Sequence, residues 1–146
     1  MPEVHLVVGV SLIAANLVAG VWGGLDWLQQ RPSPGFWYAL RIAQASVILQ
    51  TFLGLLLVFS GHHADELHIL YGVLPLLVSI LAESLRASTA QMVLDSRGFE
   101  SNDEVGRLPA EEQRGLVLTI VQREIGVMAL SAVVVVVLLA RAAATA

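Results

Sequence analysis

Four apolar stretches, each long enough to cross a bilayer as a helix, leave this 146-residue chain little choice of architecture. A helix rises about 1.5 Å per residue, so roughly 20 apolar residues span the hydrocarbon core. The stretches run from about Val4 to Leu25, Phe36 to Ser60, Glu66 to Leu85 and Val121 to Ala140. Lipid offers backbone groups no hydrogen-bond partner, so each stretch must satisfy its own backbone as an α-helix. The expected fold is all-α: a single transmembrane domain built as an up-down-up-down four-helix bundle, with both termini on one face.

The connections agree with this reading. Gln29 to Gly35 holds two prolines and a glycine, which continue neither helix, and so forms a hairpin turn. The link Gly61-His62-His63-Ala64-Asp65 is short enough to make the second and third helices antiparallel neighbours. Asp65 reads as the N-cap of the third helix, with Glu66 at its positive end. That helix runs past the membrane to about Leu94, and a polar loop over 96–108 precedes a helix start at Pro109, Glu111 and Glu112.

Orientation follows from arginine, since the chain has no lysine. Arg31, Arg41, Arg86, Arg97, Arg107, Arg114 and Arg123 fall at one face and Arg141 alone at the other. Basic residues near span ends stay in the cytoplasm, so both termini are expected outside, in a multi-pass protein of a bacterial cytoplasmic (inner) membrane. The N-terminus lacks a positive n-region and a cleavage site, so the first helix reads as a retained span. Trp22, Trp27, Trp37 and Tyr38 bracket the cytoplasmic ends of helices 1 and 2, as an interfacial belt does. The net charge of -4 is spread over loops and helix ends, which argues against nucleic acid as a partner. With no cysteine, disulfides, thiolate metal sites and thiol redox chemistry are excluded.

Polar residues within the spans fall into three groups. Asn16, Gln50 and Ser131 all come out roughly 15 Å deep, a depth that suggests a shared polar layer bonding helix to helix. Arg41, Glu83, Arg86, Arg123 and Glu124 gather at the cytoplasmic boundary, where Arg41 or Arg123 can pair with Glu83 across helices. The Gly20/Gly24 pattern permits close packing within the bundle or between subunits.

All four histidines lie at the opposite face. His5 and His68 stand at matching depth on different helices, about one turn inside the surface. Gly9 and Gly72 lie at i+4 from them, on the same helix faces, where a missing side chain leaves room for a flat macrocycle. Tyr71 is one turn from His68, Pro75 frees the Tyr71 carbonyl, and Arg141 with His62 and His63 lines the rim as candidate propionate partners. The expected cofactor is heme b, with His5 and His68 as axial iron ligands. Zinc or copper on His5, His62, His63, His68, Asp65, Glu66 and Glu3 is the alternative, and an interfacial histidine cluster with no cofactor is the plainest reading.

The segment Gln50-Thr-Phe-Leu-Gly54 through Gly61, followed by Leu67-His68-Ile-Leu-Tyr71-Gly72, resembles a helix pair of the heme A synthase family and, more loosely, of cytochrome b561-like bundles. In those families a Gln-x-x-x-Gly helix and a short outer turn precede a helix whose early histidine ligates heme. The resemblance covers about a third of the chain. It implies that His68 is a heme ligand and that His5 stands where the partner histidine belongs. The heme A synthase pattern also has a glutamate and a His-Arg pair, and Glu3-x-His5 lacks the arginine, so catalysis is not implied. That family has eight spans in two such halves, so this chain matches one half and a homodimer is implied. As a whole the sequence is similar to small four-span proteins of unassigned role in actinobacteria. The function expected is electron relay through heme, with a quinone or a partner membrane redox enzyme. The alternative is a non-catalytic accessory or assembly subunit docking through its cytoplasmic extension.

Overall fold

In the computed structural model, which describes residues 2–99 and 102–145, the chain is all-α. The helices are α1 (Pro2–Gln29), α2 (Pro34–Phe59), α3 (Glu66–Ser96), the short α4 (Asn102–Gly106) and α5 (Ala110–Ala144). Four of them, α1, α2, α3 and α5, are long and apolar enough to cross a membrane. The protein is a multi-pass helical membrane protein.

Turn chemistry sets the boundaries. At the end of α1 the Asp26 carboxylate accepts from the Ser33 amide at 3.1 Å and from its hydroxyl at 2.5 Å, while the Trp22 indole donates to the same hydroxyl at 3.0 Å. Pro34 then opens α2, where a missing N–H costs nothing. Gly61, at φ +85°, ends α2 in the left-handed region that glycine adopts without strain. Asp65 occupies the N-cap of α3, as its position predicts, but its side chain makes no capping bond; only its carbonyl accepts, from Ile69 N at 3.1 Å. Within the polar loop over 96–108, Phe99 and Val105 pack on Val93, Leu94 and Leu116 and so hold α4 against the ends of α3 and α5. Residues 100 and 101 of that loop lie outside the described residues.

Each long helix packs on its sequence neighbours, and α5 closes the ring against α1, leaving α1 and α3 on one diagonal. Of the four neighbouring pairs, α2 and α3 touch least. A tight core fills the arginine end: Ala19, Phe36, Leu40, Ile125 and Met128 are buried. Gly23 is required there, because a Cβ would run into the Phe36 ring and the Ala129 methyl. A second core of Leu12, Val47, Val135 and Leu139 lies toward the other end. The carbonyl of Trp27 accepts from Gln122, and its indole lies where a Cβ on Gly126 would stand. Since α1 ends there, the first three turns of α5, about 18 Å, project beyond the α1–α2 turn together with the end of α3.

The shared polar layer does not form. Asn16 donates to Leu12 O at 3.0 Å and Ser131 to Met128 O at 2.8 Å, each within its own helix. Among apolar neighbours a preceding-turn carbonyl is the nearest partner, and Ser46, Thr51 and Ser79 use the same bond. The glycine pattern resolves toward packing within the bundle at Gly20, which abuts Val133, whereas Gly24 faces open space.

The ionic group at the arginine end does form, with Arg86 in the place where Arg123 was a candidate. Arg41 and Gln44 on α2 both donate to Glu83 Oε1, Gln44 at 2.8 Å. Arg86 donates to Glu83 Oε2 at 2.9 Å, approaches Glu124 of α5 at 3.9 Å and lies 5.8 Å over the Trp37 ring. Arg123 is exposed. Glu83 thus ties α2 to α3, and Arg86 extends the tie to α5.

Candidate functional site

At the histidine end the bundle opens into a cavity of about 720 Å³, within the roughly 300–1,000 Å³ range of ligand and cofactor sites. All four long helices line it, mostly with apolar side chains. Leu55 and Val58 of α2 and Ile69 of α3 line it while remaining exposed on the outside of the bundle. The side wall nearest the loosely packed α2–α3 seam is therefore also a lipid-facing surface.

His5 and His68 reach this cavity from the diagonal pair α1 and α3. Their ring centroids are 6.1 Å apart and their planes are inclined by 59°. One metal ion taking a nitrogen from each ring, at about 2.0–2.1 Å, sets two imidazole centroids about 6 Å apart. The spacing matches that of an ion-bridged pair, and it also lies within the range of roughly 4.5–7 Å of a tilted ring–ring contact.

Hydrogen bonds fix the tautomer of each ring. His68 Nδ1 lies 2.9 Å from the carbonyl of Ala142 on α5. A carbonyl only accepts, so Nδ1 carries the proton and Nε2 presents a bare lone pair. This is the usual arrangement behind a metal-ligating histidine. His5 is held differently. The Gln50 amide nitrogen lies 3.0 Å from the carbonyl of His5 and 3.2 Å from its Nε2. The bond to the carbonyl identifies that atom as the NH₂ group, so it donates to Nε2 as well, and the His5 proton sits on Nδ1. Both His5 Nδ1 and Gln50 Oε1 are buried without a partner. A buried donor on α1 and a buried acceptor on α2 are thus left unpaired in the cavity lining, at a usual cost of about 1–3 kcal/mol each.

The expected glycine cradle is half present. Beside Gly72 there is open space, but a Cβ on Gly9 would stand 3.0 Å from the Gln50 amide, which fills the room expected beneath His5. The glycine that gives His5 its room is Gly54, whose Cβ position lies 3.3 Å from His5 Cε1. Gln50 and Gly54, four residues apart on one face of α2, both reach His5; depth had placed Gln50 in the mid-bilayer layer, and Gly54 entered only through the Gln-x-x-x-Gly resemblance. Their spacing in sequence was the available signal.

The remaining candidates sit apart from the histidine pair. Tyr71 is half-buried and Arg141 exposed; the guanidinium stacks 5.7 Å over the Tyr71 ring, and neither lines the cavity. Arg141 is thereby engaged on the α3–α5 seam rather than poised over a propionate. His62 and His63 are exposed in the α2–α3 turn and line the cavity mouth, as does Asp65. Among the described residues no three His, Cys, Asp or Glu side chains are grouped to hold a metal ion, so the wider zinc or copper set is not assembled. No protein-family model, curated protein or solved structure matches this chain.

Proposed function

We propose that this protein binds one heme b in the cavity between α1 and α3, with His5 and His68 as axial ligands, and relays electrons near one face of the membrane. The observation that carries the reading is the 6.1 Å spacing of two imidazoles across the bundle diagonal inside a cavity of cofactor size. The bound group would supply one-electron redox chemistry, and ligation by two histidines leaves no coordination position for substrate. The chain's own part is to orient His68 through Ala142, to keep water out with apolar walls, and to present a cavity side near Leu55, Val58 and Ile69 to lipid. That side suits exchange with a membrane-dissolved quinone, or with a partner enzyme or second copy packed against α2 and α3. The arginine distribution supports placing the cavity and both termini on the outer side of a bacterial cytoplasmic membrane.

The test is the visible spectrum of protein purified after expression with ample heme, oxidised and dithionite-reduced. A sharp reduced α band is expected, lost in His5→Ala and in His68→Ala and kept in His62→Ala and His63→Ala. Low-spin heme surviving both of the first two replacements would sink the assignment, and stoichiometric zinc or copper in a heme-free protein would replace it.

A second reading draws on the projecting ends of α3 and α5, which carry their own small core and expose Met92, Val117 and Leu118. An accessory subunit docking a larger membrane complex through this arm would need no cofactor. Stable copurification of a colourless protein with such a complex would favour it.

A further inference from the structure

We propose that Gln50 is the positioning residue that decides whether His5 can ligate, covering its Nε2 in one amide orientation and supporting it as a ligand in the other. The inference rests on the heme reading and deepens it. His68 is already oriented as a ligand, because its Nδ1–H donates to the Ala142 carbonyl and leaves Nε2 bare. His5 carries its proton on the same nitrogen, but its Nε2 is covered by the Gln50 amide. The unpaired atoms left behind are complementary: His5 Nδ1–H needs an acceptor, and Gln50 Oε1 is an acceptor with no donor. Turning the Gln50 amide so that Oε1 accepts from His5 Nδ1–H satisfies both atoms and uncovers Nε2. Gln50 then does for His5 what the Ala142 carbonyl does for His68. Gly9 is the hinge space for this motion, since its missing side chain is what lets the amide lie 3.0 Å from where a Cβ would be.

Two measurements separate this inference from the reading beneath it. In heme-free protein labelled with ¹⁵N-histidine, the His5 shifts are expected to report a bare Nε2 and a protonated Nδ1. Gln50→Leu removes the donor to Nε2 and is expected to shift His5 toward the other tautomer. In protein titrated with heme, Gln50→Leu is expected to bind about 10–100-fold more weakly, the usual cost of losing the outer partner of a ligating histidine. Gln50→Glu keeps a stronger acceptor and is expected to bind heme. A ligand whose Nδ1 proton is held by a better acceptor donates more electron density and favours the oxidised iron, so midpoint potentials are expected to rise in the order Gln50→Glu, wild type, Gln50→Leu. A merely structural Gln50 would not order the potentials. Wild-type affinity and potential in Gln50→Leu would overturn the inference while leaving heme binding intact. Wild-type protein that takes up no heme would overturn the heme reading, and unchanged His5 shifts in Gln50→Leu would then overturn the role of Gln50 by themselves.

Discussion

The two ends of the bundle treat their polar side chains in opposite ways. At the arginine end, Glu83 accepts from Arg41, Gln44 and Arg86, so one carboxylate is satisfied from two helices and ties α2 to α3. Phe36, Ile125 and Met128 close the space beneath it. At the histidine end the same two helices have no such tie among the described residues, a cavity opens beside their seam, and His5 Nδ1 and Gln50 Oε1 are left unpaired within it. Unsatisfied buried polar atoms at one end, beside a denser polar group satisfied at the other, are the contrast that the proposed heme site would account for.

Three substitutions break or sharpen this contrast. The largest effect is expected from Gly72→Leu, which places a side chain in the open space beside α3. It should abolish heme uptake in the reconstitution spectrum. The heme-free fold should stay as stable or gain a fraction of a kcal/mol, since leucine is a better helix former than glycine by roughly 0.5–1 kcal/mol. Retained heme binding would place the cofactor elsewhere. Glu83→Ala acts at the other end: losing charge-assisted bonds from Arg41, Gln44 and Arg86 should cost about 1–3 kcal/mol, read as a lower thermal midpoint in detergent. The heme spectrum should be unchanged, and a spectral change would show that the two ends are coupled. The smallest effect belongs to Arg141→Ala, which removes the stack on Tyr71. It should cost about 0.5–1 kcal/mol and leave heme affinity where it was; a large loss of affinity would return Arg141 to the site.

Residues differ in how far their roles were legible before the fold was known. His5 and His68 were expected at matching depth, because rise per residue is fixed and both helices enter from the same face, and the structure brings their rings to 6.1 Å. Their partners were not legible in that way. Gln50 was counted to the middle of the bilayer, yet its long side chain reaches back to His5, and depth says nothing about reach. Gly9 has the same sequence relation to its histidine as Gly72 has, and only the neighbouring helix decides that one glycine is filled by Gln50 and the other is open. Arg123 and Arg86 were equally placed by charge. Arg86 reaches Glu83 within α3 at i,i+3, a spacing legible in the sequence, whereas the rotation of α3 against α2 and α5 decided that Glu83 meets Arg41 and that Arg86 meets Glu124.

What the sequence by itself determined is the membrane class, the four long helices, their antiparallel order and the gathering of histidines and arginines at opposite ends. Those properties follow from hydrocarbon thickness, backbone hydrogen bonding and turn chemistry, which act locally along the chain. Only the tertiary structure decided that α1 and α3 face each other across the diagonal, that His68 leans on Ala142, and that Gln50 covers His5. These depend on helix rotation and side-chain reach, which are set by how the four long helices fill space together.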